Sequence, residues 1–359
     1  MPRPRHRPGN GPREIGCLAV AVGVALLLWS AYVPWPGGRL DVQPPAAQLQ
    51  AMRPTIAGLA VVVGLIGASL TVWRLLTGIP ATRTRLAAPA IVLVAGLGAF
   101  VETLPRTFDR GVDAPAGAAT LTVATVNTLA GRADVDGIVT LVRDRRVDVV
   151  ALPETHRPRA AEIVRALERA GVGGWSAFTD AAGGSVDAAS PTPTSLLVRE
   201  RLRATPERAP GSNDASPDGA RGAFGHVRVR LDGAPGRPLV AAVHPRPPLV
   251  RRSTGPWRDD LEALEPLCRR ADTIIAGDLN ATVDHSPLRE LLGAGCESAA
   301  ARTGHGMQAT WTGGPLGVVR PQIDHVLSTA PWRAVDAGVV GITGSDHRAV
   351  WARLVRTGG

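Results

Sequence analysis

Three apolar stretches without a charged residue lie in the first third of the chain and restrict most strongly what it can fold into. They are Ile15–Val33, Ile56–Trp73 and Leu86–Val101. At ~1.5 Å rise per residue, helices of this size come close to the ~30 Å hydrocarbon core of a bilayer. A cleaved signal peptide explains one stretch but not three, and core helices fit poorly because these stretches are apolar on every face. We therefore predict three transmembrane helices, at about 15–33, 56–73 and 86–104.

The positive charge of the chain is concentrated around these stretches. Residues 1–101 carry a net charge of +7, whereas residues 102–359 carry +2. The large C-terminal part therefore lacks the strongly basic surface of a protein that grips long nucleic acid. Arginines favour the N-terminus and the second connection over the first, so the positive-inside rule places the N-terminus in the cytoplasm. Three crossings predict a multi-pass plasma-membrane protein whose C-terminal domain is extracytoplasmic.

A Pro/Gly/Ala-rich linker at 111–119 precedes a region with alternating strand and helix patterns. The predicted strands are 121–127, 147–154, 194–200, 225–231, 238–244 and 272–278, followed by the closing segments 321–329 and 338–354. The predicted helices are 133–146, 160–171 and 259–271. This order predicts mixed sheets covered by helices, with a loop at 204–222. We divide the chain into a membrane region (1–110), the linker, and one domain (120–359).

The chain has three cysteines, of which Cys17 lies in the first apolar stretch. Cys268 and Cys296 could form a disulfide if the domain lies outside the cell. Two unpaired core cysteines is the simpler interpretation, and it is the one we prefer from sequence alone.

Six predicted strands or strand ends finish in polar residues that a protein core does not favour. They are Asn127, Glu154, His244, Asp278 with Asn280, Asp324 with His325, and Asp346 with His347. Each alone has a structural explanation, such as a turn, an exposed strand end or a helix cap. Together, at the ends of apolar strands, they indicate a site built on a rigid scaffold. In IIAGDLNAT, the two-residue spacing of Asp278 and Asn280 would place both side chains on one face of an extended chain.

The motifs that carry these residues resemble the endonuclease/exonuclease/phosphatase superfamily. They are TVNTL, VVALPETH, AAVHPRPP, IIAGDLNAT, PQIDHVL and GSDHRAV, in this order, and the resemblance covers about residues 118–356. Within the superfamily, three apparent spans before the domain resemble bacterial membrane proteins linked to glycopeptide-antibiotic resistance. The resemblance implies a four-layer α/β sandwich, two mixed sheets flanked by helices, preceded here by three transmembrane helices. One departure is Pro153 before Glu154, where similar proteins usually have Gln-Glu.

The activity that this resemblance implies is hydrolysis of a phosphate ester or anhydride by water, with Mg²⁺ or Mn²⁺ as the cofactor. Oxygen ligands suit such a hard cation, and the implied metal ligands are Asn127, Glu154 and Asp346. The implied catalytic residues are His244, Asp278, Asn280, Asp324 and His347.

The resemblance also assigns a role to each catalytic residue. Asp278 would orient or deprotonate the attacking water, and Asn280 would donate to a phosphate oxygen. His347 would be a general base or a transition-state contact, with Asp324 fixing its tautomer. His244 would face the phosphate from the other side and stabilise the transition state or protonate the leaving group.

Two further histidines near these motifs, His156 and His325, are left outside the predicted catalytic set. His325 could instead be a structural hydrogen bonder.

The substrate is predicted from the position of the domain beside the membrane. A linker of roughly ten to fifteen residues reaches at most ~50 Å and keeps the site close to the bilayer. The high effective concentration of membrane components favours a lipid-linked phosphate, polyprenyl or phospholipid, over a diffusing polymer. The alternative is a tethered extracellular nuclease. A third possibility, a catalytically silent envelope domain, is disfavoured because all expected polar positions are filled, and no protein partner is implied.

Overall fold

The computed structural model of the protein describes residues 12–36, 38–78, 83–180, 193–207, 225–249, 254–314 and 320–357. The chain divides into two units between Leu104 and Pro105. This division lies six residues before the predicted end of the membrane region at residue 110. The segment 105–112 belongs to the second unit because its backbone is bonded there: Gly111 N–H donates to Arg302, and Val112 N–H donates to Ala334.

The first unit consists mainly of three long helices. Its helices are α1 (Pro12–Leu28), α2 (Ala46–Gln50), α3 (Arg53–Leu76) and α4 (Arg83–Val101), and its strands are β1 (Pro34–Trp35) and β2 (Gly38–Arg39). Glycines allow α3 and α4 to pack closely, since a Cβ on Gly64 would lie 2.7 Å from the Cβ of Leu93. The start of α3 is tied to the residue after α4, because the buried Arg53 forms an ion pair with Glu102 at 2.7 Å.

Within the described residues, two helical segments are long and apolar enough to cross a membrane, Arg53–Leu76 and Arg83–Phe108. They correspond to the second and third predicted spans. The prediction of a first span at 15–33 is not met, because α1 ends at Leu28 and the chain enters a 3₁₀ turn at Ser30–Tyr32. The apolar helix Glu14–Leu28 is therefore shorter than the other two.

The second unit is built from two mixed sheets with helices on their outer faces. Its helices are α5 (Pro105–Phe108), α6 (Val135–Arg145), α7 (Arg157–Arg169), α8 (Thr254–Glu262), α9 (Glu265–Cys268), α10 (Ser286–Gly293) and α11 (Ala299–Arg302). Its strands are β3 (Thr120–Thr125), β4 (Val149–Leu152), β5 (Trp175–Thr179), β6 (Ser195–Arg199), β7 (Ala204–Pro206), β8 (Gly225–Leu231), β9 (Leu239–His244), β10 (Thr273–Asp278), β11 (Cys296–Ser298), β12 (Asp324–Thr329), β13 (Trp332–Gly341) and β14 (Arg348–Arg356).

In the part of the chain that the structure describes, each sheet has six strands and one parallel pair at its centre. The first sheet has the order β13-β14-β3-β4-β6-β5, and the second has β11-β12-β10-β9-β8-β7. The parallel pairs are β3 with β4 and β9 with β10, while the other neighbours are antiparallel. The carboxyl ends of the parallel strands therefore share an edge with the start of β14 in one sheet and of β12 in the other.

The core is divided into layers as the resemblance predicted. One apolar cluster joins the facing sides of the two sheets, with members such as Val123, Val149, Val240 and Ile274. A second cluster packs α6 and α7 against the outer side of the first sheet. Helices α8 and α10 pack together with buried residues such as Trp257, and α10 contacts β11 of the second sheet. The prediction of a four-layer α/β sandwich is confirmed.

Several predicted elements differ in detail from the structure. The predicted helix 259–271 is two helices, α8 and α9, and the closing segment 338–354 contains the end of β13 and most of β14. Strands β5, β7 and β11 and helix α10 were not predicted. The predicted loop 204–222 begins with β7, and its remainder from residue 208 lies outside the described residues.

Cys268 and Cys296 form a disulfide, contrary to the preferred prediction of unpaired cysteines. The pairing brings the end of α9 against the start of β11, with a Cα–Cα distance of 4.8 Å. Gly295 permits this approach, because it has φ +124° and a Cβ there would lie 2.7 Å from the Cys268 carbonyl oxygen. Sequence spacing alone could not reveal this contact, since it depends on how α9 and β11 pack.

Replacing both Cys268 and Cys296 with serine should lower the free energy of unfolding of the second unit by about 3–4 kcal/mol. The physical reason is the loss of a cross-link between residues 28 apart, which restricts the unfolded chain. Denaturant titration followed by tryptophan fluorescence would measure the change. The control is Cys17→Ser, which removes the exposed free cysteine of the first unit. Equal stability of the double variant and the control would contradict the prediction.

Candidate active site

The predicted site residues come together where the strand ends of the two sheets meet. In the first sheet, β3 and β4 lead into Asn127 and Glu154, and His347 directly precedes β14. In the second sheet, β9 ends at His244 and β10 at Asp278, and Asp278 pairs in register with Asp324 at the start of β12. The antiparallel direction of β12 and β14 brings their first residues to this edge.

Asp278 lies at the centre of the contacts and is only 1% exposed. Its Oδ1 accepts a hydrogen bond from the backbone N–H of Asn280 at 2.9 Å, and its Oδ2 accepts one from Asn127 Nδ2 at 3.0 Å. The imidazole Nε2 atoms of His244 and His347 lie 3.7 Å and 3.6 Å from the same Oδ2. This carboxylate therefore connects side chains from both sheets.

Gly277 allows β10 to carry Asp278 into this position. A Cβ at residue 277 would lie 1.9 Å from the carbonyl oxygen of Val243 on the neighbouring β9. Any other residue would push the two parallel strands apart. The glycine in IIAGDLNAT is thus required by the close approach of β9, and not only by the turn that follows.

Asn127 and Glu154 are in direct contact, with Asn127 Nδ2 3.1 Å from Glu154 Oε1. The other carboxylate oxygen of Glu154 accepts from the backbone N–H of Ala130 at 2.9 Å. Glu154 has a left-handed φ of +59°. Thr128 holds this strained turn, because its backbone N–H donates to Pro153 and its hydroxyl donates to the carbonyl of Glu154. Main-chain contacts therefore fix the strand end that carries Pro153 in place of glutamine.

His347 and Asp324 form the pair that the motifs predicted. His347 Nδ1 donates to Asp324 Oδ2 at 2.8 Å, which leaves Nε2 directed towards Asp278. Burial alone would lower the pKa of His347, but the negative charges of Asp324 and Asp278 outweigh it and raise the pKa above its ordinary value. The hydroxyl of Thr310 accepts from the backbone N–H of Asp324 and helps to fix this strand end.

Asn280 does not share an extended face with Asp278. The strand ends at Asp278, and Asn280 has a left-handed φ of +49°. Its side-chain Nδ2 donates to the carbonyl of Pro245 at 3.0 Å, which joins the loop after β10 to the loop after β9. The period-two argument was wrong here because it assumed an extended backbone beyond Asp278. The predicted contact of Asn280 with a phosphate oxygen stays a prediction.

The loop that follows His244 is held by an ion pair that the sequence did not reveal. Arg246 Nε donates to Asp260 Oδ2 at 2.7 Å and Nη2 donates to Oδ1 at 2.5 Å, while the Arg246 backbone N–H also binds Oδ2. Asp260 is fully buried on α8. The sequence offered an arginine within the Pro-rich stretch HPRPP, but it did not identify the partner, which lies 14 residues further along the chain on α8.

Ser345 and Trp311 also contribute contacts that sequence reasoning missed. Ser345 Oγ donates to the backbone carbonyl of Asn127 at 2.7 Å and accepts from the His347 N–H at 3.0 Å. Trp311 Nε1 donates to Asp346 Oδ2 at 3.0 Å. Ser345 could have been predicted as a site residue because it belongs to the GSDH motif. Trp311 could not, because an isolated β-bridge to His347 brings it next to Asp346.

The carboxylates of this edge fit a divalent cation. Asp278, Asp324 and His347 are buried and offer ligand atoms within 4.8 Å of one another. Asp324 and Asp346 each keep a buried Oδ1 without a hydrogen-bond partner among the described residues. A cation would neutralise such oxygens, and oxygen donors suit hard metals. The predicted ligands Asn127 and Glu154 lie beside this group through their contacts with Asp278 and with each other.

His325 is not one of the residues that contact the Asp278 carboxylate. Its Nε2 contacts the carbonyl oxygen of Ala281 at 2.8 Å, and the ring is 1% exposed. Burial lowers the pKa of His325 to about 4. The neutral ring therefore supports the loop that follows Asp278. His156 is exposed at the start of α7.

Replacing His325 with glutamine should make folding less sensitive to acid. The folded pKa of about 4 lies below the ordinary 6.5, so the stability from the neutral ring is present above pH 6.5 and is lost as pH falls towards 4. This residue alone should cost the wild type about 2 kcal/mol between pH 7 and pH 5. Denaturant titrations at both pH values would measure it, and an unchanged loss in His325→Gln would contradict the assignment.

The Endonuclease/Exonuclease/phosphatase family model matches residues 124–347. The match begins on β3, ends at His347 and contains every predicted site residue. The family resemblance predicted from the motifs is therefore confirmed. No curated protein gives a significant match to the sequence.

The chain is also similar, at low sequence identity, to solved structures of this class. A protein of the class from Beutenbergia cavernae DSM 12333 is 20% identical over 67% of this chain and 72% of its own, with a TM-score of 0.49. A family protein from Bacteroides thetaiotaomicron is 14% identical over 67% of this chain and 99% of its own, with a TM-score of 0.49. The mannosyl-6-phosphatase Bt3783 of Bacteroides thetaiotaomicron VPI-5482 is 15% identical over 66% of this chain and 99% of its own, with a TM-score of 0.46.

Proposed function

We propose that this chain, which belongs to the Endonuclease/Exonuclease/phosphatase family, is a membrane-anchored phosphoesterase that acts on a lipid-linked phosphate with Mg²⁺ or Mn²⁺. Members of the family are hydrolases of phosphodiester or phosphate bonds. The observation that carries the proposal is the buried Asp278 carboxylate, which two imidazoles approach within 3.7 Å and 3.6 Å. A carboxylate between two such groups can take the proton of an attacking water.

The proposed reaction is a direct hydrolysis by water. The water oxygen attacks phosphorus, its proton passes to Asp278, and the bond from phosphorus to the leaving oxygen breaks. His347 has a raised pKa and is held by Asp324, so it donates to the developing charge as an imidazolium. His244 supplies a proton to the leaving oxygen from the other side of Asp278. Asn280 completes the phosphate contacts.

A divalent metal at Asn127, Glu154 and Asp346 would stabilise negative charge on the phosphoryl oxygens when bound. Hydrogen bonds within the chain orient the carboxylates of Glu154 and Asp346. Ala130 N–H and Asn127 hold the two oxygens of Glu154, and Trp311 holds one oxygen of Asp346. Asp346 Oδ1 is left buried without a protein donor among the described residues.

The membrane anchor is supported by the surface of the first unit. On α3 the apolar side chains Leu59, Val63, Ile66, Leu70 and Leu75 are each more than half exposed. A large exposed apolar surface marks contact with a membrane or a protein. Helices α3 and α4 also have the length and composition of membrane spans. Anchoring favours a lipid-linked phosphate, and the resemblance to glycopeptide-resistance membrane proteins agrees with this proposal.

An extracytoplasmic location of the second unit is supported by the Cys268–Cys296 disulfide, because such bonds persist in oxidising compartments. Two crossings would return the chain to the side of its N-terminus, whereas three would carry it across. A reporter enzyme fused after Gly359 separates these cases. We expect activity from a reporter that works outside the cytoplasm, and activity from a cytoplasm-only reporter would contradict the location.

The full chain in lipid vesicles should release phosphate from polyprenyl pyrophosphate or a phospholipid headgroup in the presence of Mg²⁺ or Mn²⁺, and EDTA should abolish this. Glu154→Gln and His347→Gln should each reduce turnover by at least ~10²-fold, since they remove a proposed metal ligand and a transition-state contact. Glu265→Gln on α9 is the matched control, because its exposed carboxylate pairs only with Arg269 among the described contacts.

The same assay includes duplex and single-stranded DNA as competing substrates. Faster cleavage of DNA than of any lipid would replace the lipid proposal with a tethered nuclease. Turnover of none of these substrates, or wild-type turnover in Glu154→Gln, would overturn the proposed function.

A further inference from the structure

An ion pair joins the segment after the last helix of the first unit to the loop after β10. Arg106 Nη1 donates to Asp284 Oδ2 at 2.9 Å, and Nη2 donates to Oδ1 at 2.7 Å. The Arg106 side chain is 10% exposed and that of Asp284 is 1% exposed. A buried bidentate pair between residues 178 apart is geometrically specific and much less screened than a surface pair.

The segment that carries Arg106 is fixed to the second unit by its backbone. Gly306 N–H donates to the Arg106 carbonyl at 3.0 Å, and Gly111 N–H donates to Arg302 at 2.6 Å. A Cβ on Gly306 would lie 2.7 Å from the Cβ of Arg106, so this contact requires a glycine. Arg106 therefore reaches Asp284 from a rigid support.

Asp284 in turn belongs to a turn that continues directly from Asp278. The Asp284 N–H donates to Thr282 Oγ1 at 3.3 Å, and the Thr282 N–H donates to His285 Nδ1 at 2.9 Å. The Asn280 N–H donates to Asp278 Oδ1 at 2.9 Å. Side chains of the turn itself thus accept the N–H groups of Asn280, Thr282 and Asp284. The bond from Arg106 to Asp284 adds a support from outside the turn at its far end.

We propose that Arg106 is a positioning residue for the site, which holds the 278–285 turn and thereby the orientation of the Asp278 carboxylate. Arg106 lies before the region that the family model matches, residues 124–347. The segment adjoining the first unit thus supplies support that the matched region lacks. The expected effect of Arg106 on turnover rests on the proposed function. Its expected effect on the turn rests only on the hydrogen bonds.

The loop after β9 is held in the same way, which strengthens the inference. Arg246 binds Asp260 with two nitrogens, as Arg106 binds Asp284. Asn280 connects the two loops through its bond to the Pro245 carbonyl. The loops after β9 and β10 therefore each have an arginine–aspartate clamp, and one of the two arginines, Arg106, comes from outside the matched region.

The test compares Arg106→Met with Arg356→Met in the purified full chain. Arg356 also binds an aspartate with two nitrogens, Asp272, at 2.9 Å and 3.2 Å. Asp272 precedes β10, and at ~3.3 Å per residue it lies about 20 Å along the strand from Asp278. Arg356→Met therefore removes the same kind of clamp at the opposite end of the same strand.

The first measurement is hydrogen–deuterium exchange of peptides that cover residues 278–286. Arg106→Met should speed exchange of the Asn280, Thr282 and Asp284 amides at least ~10-fold, whereas Arg356→Met should leave them at the wild-type rate. Arg106→Lys, which keeps the charge but not the planar fork, should give an intermediate rate. Exchange in Arg106→Met at the wild-type rate, or equal acceleration in Arg356→Met, would overturn the inference.

The second measurement is hydrolysis of bis(p-nitrophenyl) phosphate with Mn²⁺. Arg106→Met should lower kcat at least ~10-fold with KM within about twofold, because Asp278 acts on the water and not on substrate binding. Unchanged kcat together with faster exchange would show that the turn moves without positioning Asp278, and would overturn the inference. If the wild type hydrolyses no substrate, the proposed function fails, and the exchange measurement alone decides whether Arg106 holds the turn.

Discussion

The burial of the Asp278 carboxylate is the constraint on which the rest of the site depends. A buried charge costs several kcal/mol unless donors surround it. At 1% exposure, Asp278 obtains these donors from the Asn127 amide and the Asn280 backbone, with the imidazoles of His244 and His347 nearby. These groups stand at the ends of strands in both sheets. The register of β10 with β12 and β9 brings their functional residues to one edge of the second sheet. The contacts of Asp278 with Asn127 and His347 then join this edge to the strand ends of the first sheet.

The sequence predicted the residues at strand ends because polar side chains there interrupt apolar runs. Asn127, Glu154, His244, Asp278 and His347 were found in this way, whereas the pairing of His347 with Asp324 was implied by the family resemblance. The sandwich followed from the order of the elements and the family motifs. The orientation of Asn280 was missed because a left-handed backbone ends the strand periodicity at Asp278.

The supports of the site could not be predicted from the sequence because their partners are distant in the chain. Arg246 and Asp260 are 14 residues apart, and Arg106 and Asp284 are 178 apart. Arginine and aspartate are common on protein surfaces, so neither residue of a pair identifies the other. The Cys268–Cys296 disulfide could not be predicted for the same reason, since its formation depends on the packing of α9 against β11. Local patterns thus predicted the proposed reacting groups, whereas the groups that support them depend on tertiary packing.

The charges at the strand ends also explain why a metal belongs to the proposed reaction. Glu154, Asp278, Asp324 and Asp346 bring four carboxylates to one edge, and a phosphate ester adds further negative charge. The ester can bind only where cations offset this repulsion. The raised pKa of His347 provides one positive charge, which Asp324 and Asp278 already share. A divalent cation held by Asn127, Glu154 and Asp346, beside the unpartnered Oδ1 of Asp346, would supply the remainder, so we expect substrate binding and metal binding to be coupled at this edge.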